Sequence, residues 1–235
     1  MKIFLITSFL IITLPFIING QNEIRISAGL NYSTASRILP YANVSDYDLR
    51  EREISFGSFL SPHFSVSLGL TGNLAAVASV EYSSKRTEYY GQTVDSESGT
   101  IFIPVNDGYT FVPVEISLEY RLPFSNDTWR FYIGGGGGLY FFNSQREVAG
   151  IKPGAGGSKA SYGIHILSGM EYFIQSKTSL FFTMKFRDPE VEFNGEYASL
   201  NGAYNGKPVS LGKKSFYQKL SLEGTSFLVG LRYGL

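Results

Sequence analysis

The stretch that decides the fold runs from Tyr109 to Phe142 and reads YTFVPVEISLEYRLPFSNDTWRFYIGGGGGLYFF. Apolar residues occupy every second position from Val112 to Leu122, and Pro, Glu, Ser or Arg fill the positions between them. This period-two alternation predicts a β-strand with one apolar face. Pro123 and the polar residues 125–127 predict a turn, after which a second amphipathic strand returns from Trp129. The stretch therefore predicts an antiparallel hairpin, and the other segments are variations on it.

Composition bounds the class of protein. In a chain of 235 residues, aromatic residues make up 15% and charged residues only 17%, which suits an apolar outer surface better than a well-solvated globule. The formal net charge is +0 and no basic cluster occurs, so we predict no nucleic-acid partner. The absence of Cys excludes disulfides, cysteine-bound zinc and thiol nucleophiles.

The amino terminus has the order of a secretory signal. Lys2 precedes an almost wholly apolar run from Ile3 to Ile18, and the small residue Gly20 closes it. This run of about 16 residues falls short of the roughly 20 that a membrane-spanning helix needs, which disfavours a membrane anchor. We predict a cleaved signal peptide over residues 1–20 and a mature barrel domain over residues 21–235. No later apolar run reaches helical spanning length, so a mature chain that crosses a membrane must do so as strands.

Further strands follow the same alternation. They are predicted at Glu23–Ser33, Tyr162–Ile174, Thr178–Arg187 and from Phe227 to Leu235.

Residues 53–84 allow two interpretations. The first places strand two at 52–60, a turn at 61–63 and a long strand three from 64. The second places strand two at 64–70, a turn at residues 71–73 and strand three at 74–84. We favour the first, because the second leaves an apolar segment in a loop.

The predicted connections alternate in length. Long polar connections are predicted at 34–50, 85–108, 144–160 and 188–215, and short turns lie between them. Short turns at one end and long loops at the other are typical of a bacterial outer-membrane barrel. The sequence therefore predicts an all-β fold, an eight-stranded antiparallel up-and-down transmembrane β-barrel.

The polar faces of the strands distinguish a membrane barrel from a soluble, lipocalin-like barrel with an apolar interior. They carry mostly Ser, Gly, Thr and Asn, which fit a narrow eight-stranded lumen. The charges on these faces include both signs, and they should pair because an unpaired buried charge is costly. We predict a structural ion-pair network that plugs the lumen. Its members are Glu81, Glu115, Glu119, Arg121, Arg130, Glu171, Lys185, Arg187 and Arg232, and Arg25 falls on the same face.

Two other patterns accompany the strands. Aromatic residues recur near the predicted strand ends, at Tyr32, Tyr82, Tyr109, Tyr120, Trp129, Tyr172 and Tyr233. They fit aromatic girdles at the two membrane interfaces, and ordinary β-propensity accounts for them equally well. The glycine run 134–138 lacks the Lys-Ser/Thr of a phosphate-binding loop, and it predicts curvature and close approach within a strand.

Several short motifs resemble those of one family. They are Gly29 to Ser33 (GLNYS), Val112 to Val114 (VPV) followed by Glu119 to Arg121 (EYR), Arg130 to Gly134 (RFYIG) and Gly230 to Leu235 (GLRYGL). They are similar to the PorT-like "outer membrane protein beta-barrel domain" family of Bacteroidota-type bacteria. The resemblance implies a small eight-stranded outer-membrane barrel of the OmpA/OmpX type, and little about activity. The chain departs from the usual aromatic ending in Leu235, and we expect Tyr233 to serve instead.

Only His63 and His165 could serve histidine-based catalysis. Some eight-stranded outer-membrane barrels are lipid A deacylases with a His/Ser/Glu arrangement, and His63 with Ser65 offers a His-x-Ser pair. In the favoured interpretation, however, His63 lies in a short turn far from the outer rim, and His165 faces the lumen near Glu171. We predict no catalytic residue, no cofactor and no metal. The acidic clusters at 46–53 and 188–196 are interpreted as solvated charge rather than calcium sites.

The sequence thus predicts a monomeric barrel in the outer membrane of a Gram-negative bacterium, with a structural or surface-recognition role. The expected partners are outer-membrane lipid and lipopolysaccharide, the barrel-assembly machinery and an extracellular ligand at the long loops. The alternatives are a narrow pore or hydrophobic-ligand carrier, a lipid A-modifying enzyme, and a soluble lipocalin-like protein.

Overall fold

The computed structural model describes residues 23–34, 37–40, 53–55, 57–155 and 157–235. The predicted signal peptide and most of the predicted connection at 34–50 lie outside the described residues. Within these ranges, no helix is long and apolar enough to cross a membrane.

The described residues form sixteen β-strands. In chain order they are β1 (Ile24–Ser33), β2 (Arg37–Leu39), β3 (Ile54–Ser55), β4 (Phe59–Gly69), β5 (Leu74–Glu81), β6 (Ser83–Ser96), β7 (Gly99–Arg121), β8 (Trp129–Val148), β9 (Pro153–Ala155), β10 (Ser158–Gln175), β11 (Thr178–Arg187), β12 (Glu190–Tyr197), β13 (Asn201–Tyr204), β14 (Lys207–Leu211), β15 (Ser215–Ser221) and β16 (Gly224–Gly234).

Eight of these strands close a barrel. Each pairs antiparallel with the next in the order β1, β4, β5, β7, β8, β10, β11 and β16, and β16 pairs back with β1. The predicted eight-stranded antiparallel barrel is confirmed. Strand β11 has the predicted bounds, whereas β7 and β8 extend well beyond the predicted hairpin at the end with the long connections.

The barrel is apolar outside and polar inside. On β11, Leu180 and Phe182 are exposed, whereas Thr183, Lys185 and Arg187 are buried. The same alternation runs around the barrel, so its outer surface is a band of apolar side chains. A barrel in lipid needs this arrangement because all of its backbone hydrogen bonds are satisfied internally and its outer surface contacts hydrocarbon. The soluble lipocalin-like alternative requires the opposite arrangement and is wrong.

The favoured interpretation of residues 53–84 is wrong, and the second interpretation is confirmed. Strand β4 passes straight through residues 61–63, and the turn lies between Gly69 and Leu74. Thr71 Oγ1 accepts a hydrogen bond from the Leu74 N–H at 3.1 Å, which fixes this turn. Pro62 is tolerated inside β4 because it faces the break between β5 and β6, where its carbonyl accepts the Tyr82 N–H at 3.3 Å.

The long connections, predicted as loops, are largely strand where the structure describes them. Strand β6 and residues 99–111 of β7 form a hairpin that continues the barrel wall, and β13 and β14 extend this sheet beyond β6. A separate five-stranded sheet has the order β3-β2-β15-β12-β9. We call the assembly of β2, β3, β6, β9, β12 to β15, residues 99–111 of β7 and residues 142–148 of β8 the cap.

Two hydrophobic cores hold the cap together. The first contains Ile38, Tyr109, Phe111, Tyr140, Phe142, Val191, Phe193, Leu220 and Leu222. The second contains Val94, Ile103, Val105, Val148, Ile151, Tyr197, Val209 and Leu211. Each large apolar side chain buried in this way stabilises the folded state by about 1.5–3 kcal/mol. The cap is therefore a packed structure and not a set of solvated loops.

Tyr109 is not a girdle residue. It is only 4% exposed and packs in the first cap core, because the inward face of β7 continues past the barrel into the cap, where its odd-numbered positions face the second sheet. The other six predicted girdle residues, Tyr32, Tyr82, Tyr120, Trp129, Tyr172 and Tyr233, are exposed on the outside of the barrel.

The glycine run of β8 allows the close approach that its sequence predicts. A Cβ atom at Gly136, on the lumen face, would collide with the backbone carbonyl oxygen of Ile116 on β7. Gly169 leaves space for the ring of Tyr132, whose hydroxyl forms a hydrogen bond of 2.6 Å with Thr183 Oγ1. The lumen can hold large side chains because these wall positions carry none.

We expect Gly136→Ala to lower the free energy of unfolding by about 1–3 kcal/mol, since the added methyl group must displace backbone. Gly137→Ala is the matched control, because its Cβ would face outward and meet only the Gly163 carbonyl oxygen at 3.4 Å, an ordinary contact. Urea unfolding of the two variants in lipid vesicles measures the difference. Equal unfolding midpoints for the two variants would contradict this account of the run.

Candidate functional site

Four charged side chains fill the middle of the lumen. Lys185 Nζ lies 2.5 Å from Glu115 Oε2 and 3.4 Å from Glu81 Oε1. Arg187 Nη2 lies 2.8 Å from Glu81 Oε2, and its Nη1 lies 3.5 Å from Glu115 Oε1. Asn31 Nδ2 donates a further hydrogen bond of 2.9 Å to Glu81. Two cations and two carboxylates therefore neutralise one another, and this pairing makes the burial of all four charges tolerable.

A second charged cluster lies toward the end of the barrel with the short turns. Arg25 Nη1 lies 2.9 Å from Glu171 Oε1, and Arg232 Nη1 lies 3.5 Å from Glu171 Oε2 and 3.6 Å from Glu119 Oε2. The Ser179 hydroxyl also donates to Glu171. Glu171 on β10 thus interacts with side chains from β11, β16 and β1, the next three strands around the barrel.

Arg130 and Arg121 lie at the margin of this cluster. Arg130 Nη1 is 3.7 Å from Glu171 Oε2, and its side chain remains 23% exposed. Arg121 is half-buried at the end of β7, and it forms no ion pair with the carboxylates of the described residues. The structure therefore brings eight of the nine predicted network residues into ion-pair contacts and leaves Arg121 apart.

Both histidines lie in the lumen. The prediction that His63 occupies a turn is wrong because β4 runs through it, and its Nδ1 lies 3.4 Å from Glu81 Oε1. His165 Nε2 and Ser117 Oγ are 2.6 Å apart, and His165 Nδ1 lies 3.9 Å from Glu115 Oε1. Ser, His and a carboxylate are the residue types of a hydrolase triad. The cavity beside Ser117 measures only about 20 Å³, enough for about one water molecule, so a substrate has no access to it.

The first cap core closes the lumen at the opposite end. Tyr140 joins the two parts, since its ring packs in that core and its hydroxyl donates a hydrogen bond of 2.7 Å to Glu115. The gap beside Arg187, beneath Phe59 and Phe111, measures about 10 Å³. Ion pairs therefore fill the middle of the lumen, and the aromatic rings of the first cap core lie above them.

Asp107 is the centre of a buried polar network inside the cap. Its Oδ2 accepts hydrogen bonds from the Tyr89 hydroxyl at 2.6 Å and from Gln218 Nε2 at 2.8 Å, and Arg146 Nη1 lies 3.1 Å away. Burial raises the pKa of Asp107, and the Arg146 guanidinium opposes that shift. Burial lowers the pKa of Arg146, but Asp107 and Tyr197 outweigh it and raise that pKa above its ordinary value. The geometry favours an ionised pair, because three donors converge on one carboxylate oxygen.

A cleft of about 1,160 Å³ opens on the cap. Phe216 and Tyr217 supply aromatic surface to it, Lys213 and Lys214 supply positive charge, and Glu196 in the same lining pairs with Lys214. Binding sites for small molecules usually occupy about 300–1,000 Å³, so this cleft is large enough for an extended ligand.

The described acidic residues at 188–196 do not gather into a metal site. Glu190 pairs with Lys219 at 2.7 Å and Glu196 with Lys214 at 3.6 Å. Among the residues that the structure describes, no group of three possible metal ligands occurs. Asp46, Asp48 and Glu51 lie outside the described residues.

Sequence reasoning missed the polar partners that complete these networks. Asn31, Ser117 and Ser179 lie on the faces that alternation assigns to the lumen, but alternation does not show which strands face one another across it. The pair of Asp107 and Arg146 was missed because both segments were interpreted as loops. One pattern could have revealed Asp107: the alternation of Ile103, Val105, Asp107 and Tyr109 continues the inward face of β7 into the cap.

Comparison with known proteins shows similarity in fold and not in sequence. No protein-family model and no curated protein matches the chain. The outer-membrane protein OprG of Pseudomonas aeruginosa superposes with a TM-score of 0.63 at 11% identity, over 91% of this chain and 96% of OprG. Ail of Yersinia pestis, in complex with the heparin analogue sucrose octasulfate, gives 0.45 at 11% identity, over 92% and 100%. The protease OmpT of Escherichia coli gives 0.41 at 9% identity, over 91% and 96%. The superposition on OprG shows that this chain has the fold of a small outer-membrane β-barrel.

Proposed function

We propose that the protein is a closed, non-conducting barrel in the outer membrane of a Gram-negative bacterium, with its cap on the cell surface. The observation that carries this proposal is the double closure of the lumen, by the ion pairs of Glu81, Glu115, Lys185 and Arg187 and by the first cap core. The short turns then face the periplasm, as is usual for such barrels. We also propose that the predicted signal peptide exports the protein, and that the protein is related to the PorT-like barrels.

The role that fits a closed barrel best is structural or in surface recognition. The cap presents a large cleft with aromatic and cationic lining, which is a suitable place for an extracellular ligand. The remaining partners in this proposal are lipid and lipopolysaccharide around the apolar band, and the barrel-assembly machinery. The barrel is proposed to act as a monomer. It is also proposed to have no enzymatic activity, since Ser117, His165 and Glu115 face inward and adjoin too little space for a substrate.

We expect the refolded protein to produce no unitary conductance steps in a planar lipid bilayer. In this proposal, the buried ion pairs and the aromatic side chains of the first cap core leave no water-filled path for an ion to follow. An open porin in the same bilayer is the positive control, and a mobility difference between unheated and boiled protein in SDS gels establishes that the barrel is folded. Steady, reproducible conductance from folded protein would overturn the closed-barrel proposal and favour the pore.

A further inference from the structure

We propose that the barrel carries an oxyanion-binding site at its short-turn end, formed by Arg121 and Arg130. This site is separate from the closed middle of the lumen and from the cleft on the cap. Its ligand is a phosphate group or a carboxylate, the two groups that the planar guanidinium fork of Arg recognises.

The two arginines are neighbours on one face of the barrel wall. Arg121 on β7 lies directly opposite Tyr132 on β8, and Arg130 lies two residues before Tyr132 on the same face. Such diagonal cross-strand neighbours are about 7–8 Å apart at their Cα atoms, within reach of long side chains. Two guanidinium groups are therefore placed where one anion can contact both.

Both arginines line open space. A vestibule of about 350 Å³ extends into the short-turn end of the barrel and is lined by Arg121 and Arg130 together with Arg25 and Arg232. A neighbouring hollow of about 290 Å³ is also lined by Arg121 and Arg130. Either hollow can hold a small anion with its hydration water.

The nearby carboxylates are already engaged. Glu23 is held by Arg25 at 2.8 Å, Glu119 lies 3.6 Å from Arg232, and Glu171 is shared by Arg25 and Arg232. The four arginines of the vestibule exceed the acids that line it, Glu23 and Glu119, by two charges, and Glu171 behind them reduces this excess to one. The outer hollow adds Asp127, for which the described residues supply no ion pair. Asp127 brings the sum over both hollows to zero, so the positive charge is local: Arg121 has no ion pair among the described residues, and Arg130 has only the 3.7 Å contact with Glu171.

Arg130 is held in position and still has donors to offer. Its guanidinium lies over the Phe173 ring, with Cζ 4.9 Å from the ring centroid, which limits its rotation. Its only ion pair among the described residues is the 3.7 Å contact with Glu171. Its Nε is buried and has no hydrogen-bond partner in the described structure. A guanidinium that is held in one orientation and has unused donors is better suited to bind an oxyanion than a mobile, solvated arginine would be.

Isothermal titration calorimetry on the detergent-refolded protein tests the proposal, with inorganic phosphate and citrate as probes at constant ionic strength. We expect saturable binding of at least one probe, weakened tenfold or more by Arg121→Gln and by Arg130→Gln. Arg121→Gln is the safer variant, because it breaks no ion pair in the described structure. Arg86→Gln is the matched control, since it removes the same charge from an exposed arginine of the cap that contacts Gln145.

The pattern of binding identifies the source of the anion. Binding of phosphate alone indicates a phosphate-bearing ligand, binding of citrate alone indicates a carboxylate, and loss with the two vestibule variants supports the site in either case. The proposal is overturned if neither probe binds saturably, or if Arg86→Gln weakens binding as much as Arg121→Gln does. The SDS mobility shift of each variant shows that the barrel is folded in every sample.

Discussion

Replacement of Lys185 by Met should lower the free energy of unfolding of the barrel by about 3–5 kcal/mol, because it leaves two buried carboxylates with a single cation between them. Lys185 Nζ contacts both Glu115 and Glu81, and after the substitution these two acids share only Arg187. Met has nearly the length of the Lys side chain, so the loss is mainly electrostatic. Urea unfolding in lipid vesicles, followed by fluorescence of the single Trp129, measures the change.

Two further variants separate charge pairing from a general effect of the substitution. Lys177→Met removes a lysine from the exposed turn between β10 and β11 and should change stability by less than about 0.5 kcal/mol. The double variant Lys185→Met with Glu115→Gln restores a neutral cluster of Glu81 and Arg187 and should recover part of the loss. If the double variant is less stable than Lys185→Met alone, the lumen is not held together by compensation of charge.

The sequence predicted those parts of the barrel in which contact with lipid on one side requires apolar and polar residues to alternate. A strand between hydrocarbon and a narrow polar lumen must alternate, so each lumen residue can be identified from its parity alone. Thr178–Arg187 shows this best, since its bounds and both of its faces agree with the structure. Parity does not reveal distance across the lumen, so the contact of Arg187 with Glu81 could not be predicted, nor could the separation of Arg121 from the network.

The cap was missed because no lipid faces it. Strand β6 carries Arg86, Glu88 and Gln92 on or near its solvated surface, and such polar composition was interpreted as a loop. Its buried side contributes Val94 to a core that is completed by residues distant in sequence, such as Val148 and Val209. A core assembled from several connections leaves only a few apolar residues in each of them, so no single segment shows a strong pattern.

The turn between β4 and β5 shows a different limit. Pro62 and His63 carry a strong turn signal, because Pro cannot donate to a sheet ladder. The signal failed because Pro62 lies opposite the break between β5 and β6, a feature of tertiary pairing that a local pattern does not contain. The weaker signal at Thr71 was correct, since its side chain caps the true turn.

Phe193→Ala should open the cap and leave the barrel intact. Phe193 is 2% exposed in the first cap core, and its ring centroid lies 5.7 Å from that of Tyr109. Truncation of a buried Phe to Ala costs about 3–5 kcal/mol, and a local opening that becomes easier by this amount exchanges its amides on the order of 100-fold faster or more. Hydrogen–deuterium exchange of peptides from β12 and β15 measures the opening, and peptides from β11 report on the barrel wall.

Phe102→Ala is the control, because Phe102 belongs to the same cap but is 50% exposed on the outer face of β7. It should leave exchange in β12 and β15 close to that of the unaltered protein. Faster exchange in the cap with an unchanged SDS mobility shift would show two cooperative units, a barrel closed by its own hydrogen-bond ring and a cap that folds upon it. Loss of the mobility shift in Phe193→Ala would instead show that the first cap core stabilises the barrel, in which case Tyr140 and its hydrogen bond to Glu115 are the connection through which it acts.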